Sequence, residues 1–218
     1  MKQILYTIFC IVFTTSLQAQ EARHAFVNMP DSILPVLTKI NRADCIDFLD
    51  SHMKALVKNR FNQQSEMTHL SKDYIAIQLS PQSFFEMKML PITDSTQIIC
   101  TIQTVCSKAC DSQIKFYTTE WAPLEKASYL TLPSQTDFIP ENIPSQVTDT
   151  LSIPWEILRT EADILLMRAS LTDSTNLLTF HYTTPEYMSK KSASLYTPLL
   201  KCRSISYEWK EGKFQRKD

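Results

Sequence analysis

The sequence contains almost no glycine. Gly212 is the single glycine among 218 residues, whereas an average usage of about 7% would give about 15. A phosphate-binding loop, a dinucleotide-binding turn and the nucleophile turn of α/β-hydrolases each need two or more glycines. The scarcity of glycine therefore excludes these three kinds of site.

An excess of positive charge is also missing. The chain has 22 Lys and Arg residues against 23 Asp and Glu residues, which gives a formal net charge of −1. A nucleic-acid-binding domain normally carries a basic patch that neutralises phosphates. We therefore expect no nucleic acid among the partners of this protein.

Recognisable catalytic and metal-binding motifs are absent as well. The four histidines are His24, His52, His69 and His181. None of them belongs to an HExxH or HxH pattern or lies next to a cysteine, so no spacing typical of zinc ligands is present. We assign no catalytic, cofactor-binding or metal-binding residue from the sequence, and we lean toward a protein that is not an enzyme.

The longest apolar run lies at the N-terminus. Residues 4–13 are apolar, Lys2 precedes them, and small and polar residues follow up to Ala19. This length fits the apolar core of a signal peptide and falls short of the roughly 20 residues that a membrane-spanning helix needs. We interpret residues 1–19 as a signal peptide, with a membrane anchor or a lipoprotein signal at Cys10 as alternatives. We expect a periplasmic or secreted protein without a membrane span after cleavage.

Five cysteines remain after the predicted cleavage, and two of them lie close together. Cys106 and Cys110 enclose three residues between the strand-like segments 98–105 and 113–118. Residues that flank a tight hairpin face each other at a distance that a disulfide can bridge, and export permits disulfides. We predict a Cys106–Cys110 disulfide, with two free thiols as the alternative. Because five is odd, at least one thiol stays unpaired within the chain.

The hydrophobic pattern divides the mature chain into two halves. A helical pattern extends to Arg60, with Asn41 as a candidate N-cap, and period-two alternation follows from residue 74 to residue 118. The connections between these runs are too short for parallel crossovers. The pattern predicts an α+β protein, with N-terminal helices packed on an antiparallel β-meander and a second, smaller α+β half. The predicted boundaries are 20–122 for the first half, 123–153 for a Pro-rich connection and 154–218 for the second half.

A four-residue sequence, Thr-Asp-Ser-Thr, occurs once in each half. It spans residues 93–96 and residues 172–175, and each copy lies between two strand-like segments. Short polar side chains favour turns because they hydrogen-bond nearby backbone amides without needing glycine. We predict a hairpin turn at each copy. The two halves are either a true repeat or two turns that converged on the same residues.

Aromatic residues give the best lead to a binding surface. They concentrate in the strand regions, and alternation cannot bury all of them on one face of a sheet. Tyr and Trp are enriched at interfaces, so we propose four of them as a possible interaction surface for a protein or a small envelope ligand: Trp121, Tyr182, Tyr207 and Trp209. The alternative is that these side chains fill a second core.

Several short segments carry a family resemblance: residues 26–32, 79–81, 87–91, 94–96, 105–106 with 110–112, 116–119, 182–185 and 207–210. In these segments the chain resembles a family of exported Bacteroidales proteins that is classed as a domain of unknown function. The resemblance implies a Gram-negative envelope setting and brings no activity. The order of helices and strands also resembles PepSY-like and inhibitor-type periplasmic folds, a likeness of layout alone.

These observations favour a non-enzymatic periplasmic binding or protein-interaction module without a cofactor. One alternative is an envelope hydrolase with no recognisable motif, and a pocket that holds His181 or His69 beside a carboxylate would support it. The other alternative is a structural envelope-assembly factor.

Overall fold

The computed structural model describes residues 21–141, 143 and 151–217. The predicted signal peptide, residues 1–19, lies outside the described residues, and so does part of the predicted Pro-rich connection. Helices and antiparallel sheets occur together, which confirms the α+β class. Among the described residues no helix is long and apolar enough to cross a membrane.

The chain forms two compact units. Of the described residues, the first unit comprises 21–101 and Lys115–Leu124, and the second comprises Ile102–Ile114 and those from 125 to 217. We refer to them as the first unit and the second unit. The boundaries that the sequence predicts for the two halves stay a prediction.

A seven-stranded sheet follows the order of the chain. Its strands are β1 (Leu56–Lys58), β2 (Gln64–Leu70), β3 (Tyr74–Ser80), β4 (Ser83–Pro91), β5 (Gln97–Cys106), β6 (Cys110–Thr118) and β7 (Pro123–Leu124). Each strand pairs with the next one along the chain, and the registers of β1 to β4 and of β6 with β7 are antiparallel. The predicted meander is therefore confirmed.

Two helices pack against this sheet in the core of the first unit: α1 (Glu21–Asn28) and α2 (Lys39–Asp50). Alternate residues of β3 and β4 point to one face, where Ile75 pairs with Met87 and Ile77 with Phe85. Phe26 of α1 packs in the same cluster, with its ring centroid 6.4 Å from that of Phe85. Burial of this cluster is the main stabilising contribution to this unit.

Helix α2 begins before the predicted cap and ends earlier than the predicted helical pattern. Thr38 is the N-cap, and its hydroxyl accepts from the amide of Asn41 while the Asn41 side chain accepts from the Thr38 amide. Asn41 is thus the third helical residue of a capping box. The helix ends at Asp50 because His52 adopts a left-handed φ of 57°, and the chain up to Arg60 turns into β1 instead.

The second unit contains a four-stranded antiparallel sheet in the order β11-β10-β9-β8. Its strands are β8 (Met167–Leu171), β9 (Leu177–Tyr182), β10 (Ser204–Lys210) and β11 (Lys213–Arg216). Glu211 and Gly212 form the two-residue turn between β10 and β11, with φ angles of 52° and 74°. Two positive φ angles in a two-residue hairpin loop are typical of a type I′ turn, which favours glycine at its second position. The single glycine of the chain therefore occupies a position that requires it.

In the part of this unit that the structure describes, short α-helices accompany the sheet: α3 (Gln135–Phe138), α4 (Trp155–Glu161), α5 (Thr184–Tyr187) and α6 (Lys190–Tyr196). Stacked aromatic rings join these helices to one another and to the sheet. The Phe138 ring lies 4.9 Å from the ring of Tyr182, and the Trp155 ring lies 5.7 Å from the ring of Tyr196. Aromatic pairs of this kind add to the free energy that the buried area alone contributes.

Both copies of the Thr-Asp-Ser-Thr sequence form hairpin turns, as predicted. Residues 93–96 connect β4 to β5 and residues 172–175 connect β8 to β9. In each turn the first threonine hydroxyl hydrogen-bonds the last one, Thr93 to Thr96 and Thr172 to Thr175. In the first copy the amides of Ser95 and Thr96 donate to Thr93 Oγ1. The threonine, rather than the aspartate or the serine, accepts these backbone amides.

Candidate functional site

The predicted disulfide is present at the tip of the β5–β6 hairpin. Cys106 and Cys110 are bonded, and their Cα atoms lie 4.0 Å apart. Cys45, Cys100 and Cys202 are free, the first two of them buried. Burial raises the pKa of the Cys45 thiol to about 12 and also raises the pKa of the Cys100 thiol. Both thiols are therefore neutral at ordinary pH and unsuited to nucleophilic chemistry.

The residues that follow Cys110 protect the edge of strand β8. The amide of Met167 donates to Asp111 Oδ1 at 3.3 Å, and the amide of Ala169 donates to Ser112 Oγ at 2.9 Å. The Thr183 hydroxyl donates to the Cys110 carbonyl at 2.5 Å. An exposed strand edge with free amides promotes aggregation. The disulfide-closed hairpin therefore has a structural role within the second unit.

The four aromatic residues proposed as an interaction surface lie in the core. The exposed fractions are 7% for Trp121, 3% for Tyr182, 5% for Tyr207 and 7% for Trp209. The Trp121 indole donates to the Ala25 carbonyl at 3.0 Å. Their burial agrees with the alternative interpretation of the sequence, in which these side chains fill a core. Side chains with so little exposed area have almost no surface with which to contact a partner.

A recess of about 240 Å³ opens on the second unit. It lies where the end of β9, helices α5 and α6 and the start of β10 come together. Its lining residues are His181, Tyr182, Pro185, Glu186, Ala193, Thr197, Leu200 and Arg203. Ligand sites commonly combine apolar walls with a few convergent polar groups, and this recess has that composition.

Two lining residues of the recess form side-chain hydrogen bonds. His181 Nδ1 and Ser204 Oγ lie 2.8 Å apart on directly opposite residues of β9 and β10. The hydroxyls of Tyr182 and Tyr196 lie 3.2 Å apart in the interior. Burial, followed by the bond to Tyr182, raises the pKa of Tyr196. The bond to Tyr196 therefore fixes the position of the Tyr182 side chain.

Two charged residues at this recess have no partner within the described part of the chain. Arg203 and Glu186 are exposed, and neither side chain forms an ion pair or a hydrogen bond with another described residue. By contrast, Arg216 in the same unit pairs with Asp137 at 2.5 Å. The charges of Arg203 and Glu186 are thus available to a ligand.

Patterns in the sequence pointed to His181 and Tyr182 but not to Glu186 and Arg203. Glu186 lies in helix α5 and Arg203 directly precedes β10. Both reach the recess because β9 and β10 pair with His181 opposite Ser204. His69, the other histidine considered, lies exposed on β2 with its ring centroid 5.6 Å from that of Tyr74.

Among residues 21–141, 143 and 151–217, no group of three or more His, Cys, Asp or Glu side chains is arranged to hold a metal ion. The ionisable groups that line the recess include one imidazole, one carboxylate and one guanidinium, and the hydroxyls of Tyr182 and Thr197 accompany them. A guanidinium is not a metal ligand and repels cations, so the recess suits an organic ligand better than an ion.

Comparison with known proteins supports the fold and brings no activity. A family model described as "Protein of unknown function (DUF3256)" matches residues 14–214. The chain is similar to a solved structure described as a domain of an uncharacterized protein from Porphyromonas gingivalis W83, with a TM-score of 0.75 and 26% sequence identity. The similarity covers 90% of this chain and 99% of that chain. No curated protein matches the chain significantly.

Proposed function

Because this chain belongs to the DUF3256 family of proteins of unknown function, its role has to be inferred from its own residues, and we propose that it is an exported, non-enzymatic binding module. The observation that carries this proposal is the recess of the second unit. There the side chains of Arg203 and Glu186, which pair with no other residue that the structure describes, lie beside apolar walls. Charged groups left without a protein partner next to a concave surface are available to fix the orientation of a ligand.

Export is supported by two independent features of the chain. The N-terminal 19 residues have the pattern of a signal peptide, and the disulfide between Cys106 and Cys110 is a bond that persists in oxidising compartments. A Bacteroidales envelope setting and a likeness to PepSY-like or inhibitor-type folds stay predictions. Mass spectrometry of the protein recovered from the envelope fraction tests export, with a mature N-terminus at Gln20 as the expected result.

Binding at the recess is tested by two-dimensional amide NMR of the mature protein. The ligand set contains amino acids, dicarboxylates, sugars and short peptides. We expect at least one compound to shift the signals of residues 181–186 and 193–203, and Arg203→Gln to abolish those shifts. Arg159→Gln is the matched control, because Arg159 is also exposed in the second unit but lines a different hollow. If no compound shifts these signals, the recess is not a binding site.

A hydrolase is the second candidate, and the hydrogen bond between His181 and Ser204 is the observation that favours it. A serine nucleophile needs a base that a third group orients. Within the described chain no carboxylate hydrogen-bonds the His181 ring, although Glu186 lines the same recess. We therefore expect Ser204 to stay unlabelled by a serine-directed fluorophosphonate. Labelling that Ser204→Ala removes would establish the hydrolase instead.

A further inference from the structure

We propose that the recess of the second unit binds a free α-amino acid with an aliphatic side chain, held as a zwitterion between Arg203 and Glu186. This inference rests on the proposed binding function and adds the class of the ligand. The Arg203 guanidinium binds the carboxylate of the ligand, and the Glu186 carboxylate binds the ammonium group of the ligand. The apolar residues of the recess contact the side chain of the ligand.

The opposite signs of the two unpaired charges select a zwitterion. A ligand that is only anionic is attracted by Arg203 and repelled by Glu186. A ligand that is only cationic is attracted by Glu186 and repelled by Arg203. The two side chains do not neutralise each other, since no ion pair joins them. A ligand that carries both charges satisfies both groups. Guanidinium is also well suited to carboxylates, which it binds with two parallel hydrogen bonds.

The walls of the recess specify the remainder of the ligand. Pro185, Ala193 and Leu200 line it with apolar groups, which favours an aliphatic side chain over a polar one. Its volume of about 240 Å³ is below the range of roughly 300–1,000 Å³ that holds drug-sized ligands. The recess therefore suits a single amino acid rather than a nucleotide or an oligosaccharide.

A peptide end shares part of this chemistry and has to be distinguished by experiment. The C-terminus of a peptide offers the carboxylate without the neighbouring ammonium group, and the N-terminus offers the ammonium group without the carboxylate. N-acetyl-leucine reproduces the first case and leucinamide the second. Both compounds keep the aliphatic side chain of leucine. A difference in affinity from leucine therefore measures the effect of losing the ammonium group in N-acetyl-leucine and of losing the carboxylate in leucinamide.

Isothermal titration calorimetry of the mature protein with these three compounds tests the inference. We expect leucine to bind, and each derivative to bind at least roughly 10-fold more weakly, since each loses one charge-assisted hydrogen-bonding group. Arg203→Gln is expected to weaken leucine binding roughly 10-fold or more and to strengthen leucinamide binding, because it removes the charge that repels this cation. Glu186→Gln is expected to weaken leucine binding similarly and to strengthen N-acetyl-leucine binding, because it removes the charge that repels this anion. Because both side chains are exposed, the variants should fold, and circular dichroism checks this.

Three results would overturn the inference, and they separate it from the proposed function. Equal affinities for leucine and N-acetyl-leucine, with no effect of Glu186→Gln, would assign the recess to peptide C-termini. Failure of leucine to bind, while another compound shifts the NMR signals of residues 181–186, would reject the amino acid and leave the binding function intact. Failure of every compound at the recess would reject both.

Discussion

The two units use their charged side chains in opposite ways. In the first unit Arg42 is buried and donates to the Leu37 carbonyl at 2.7 Å and to the Met29 carbonyl at 2.5 Å. Its guanidinium also lies 3.1 Å from the carboxylate of Asp31. In the second unit Arg203 and Glu186 are exposed beside a recess, and they have no partner among the described residues.

The hydrophobic cores of the two units also differ in the type of side chain that they contain. The first unit packs two helices against aliphatic and methionine side chains of its strands. The second unit relies on stacked aromatic pairs, and Tyr182, a member of one of these pairs, lines the recess. A buried cation whose two terminal nitrogens bind backbone carbonyls holds the fold together, whereas an exposed cation that binds no other described residue can select a ligand. We therefore locate binding in the second unit and assign the buried charges of the first unit to stability.

The largest expected effect comes from removing the buried guanidinium of the first unit. Arg42→Ala leaves two carbonyls without their donor, so we expect a loss of about 3–5 kcal/mol in the free energy of unfolding measured with urea. Arg60→Ala is the matched control, because Arg60 pairs with the same Asp31 at the surface. We expect it to cost at most about 1 kcal/mol. Equal losses for the two variants would contradict the structural role assigned to Arg42.

The disulfide of the second unit gives the next largest effect. Replacing both Cys106 and Cys110 with serine opens a short loop, which is expected to cost about 2 kcal/mol in the free energy of unfolding. Because the hairpin covers the edge of β8, the amides of Met167 and Ala169 should also exchange faster with deuterium. Cys202→Ser serves as the control, with a change of about 0.5 kcal/mol or less. Unchanged exchange at these two amides would mean that β8 is protected in another way.

The type I′ turn between β10 and β11 predicts two substitutions of opposite sign. Gly212→Ala places a Cβ atom at a left-handed position and is expected to lower the free energy of unfolding by about 1–2 kcal/mol. Glu211→Asn introduces the Asn-Gly pair that this turn favours and should raise it by about 0.5 kcal/mol. Thermal unfolding followed by circular dichroism measures both. A destabilising Glu211→Asn would show that the turn has a different geometry.

The smallest effect concerns stability in acid. Hydrogen bonds from the Ser134 amide and hydroxyl, together with Arg216, lower the pKa of Asp137 from 3.8 to about 2. A carboxyl with a lowered pKa contributes stability above its unfolded pKa, and the contribution disappears as the pH falls from about 4 to about 2. Because this side chain is partly exposed, we expect under about 1 kcal/mol. Asp137→Asn should remove this part of the pH dependence; an unaltered pH profile would refute the assignment.

Local patterns in the sequence were enough to predict much of the fold. Alternation of apolar residues predicted the meander, and the spacing of Cys106 and Cys110 predicted their disulfide. Strand β11 was missed because it is short and follows a two-residue turn directly. The end of α2 was misplaced because apolar spacing continues after Asp50, although His52 reverses the chain.

The candidate site depended on information that no local pattern contains. His181, Glu186 and Arg203 belong to different elements, and the pairing of β9 with β10 brings them to one recess. Tyr182, Tyr207 and Trp209 suggested a surface, but their burial depends on the short helices and connections that cover the second sheet. Which aromatic residues face solvent is a property of tertiary packing, and the composition of a strand does not determine it.

Amide NMR of the mature chain during a titration with leucine shows directly whether the second unit binds an amino acid. We expect the signals of His181, Glu186 and Arg203 to shift in a saturable manner while the signals of the first unit stay in place. Arg203→Gln should raise the leucine concentration at half-saturation roughly 10-fold or more. Saturable shifts confined to the first unit, or a half-saturation that Arg203→Gln leaves unchanged, would contradict binding at the recess.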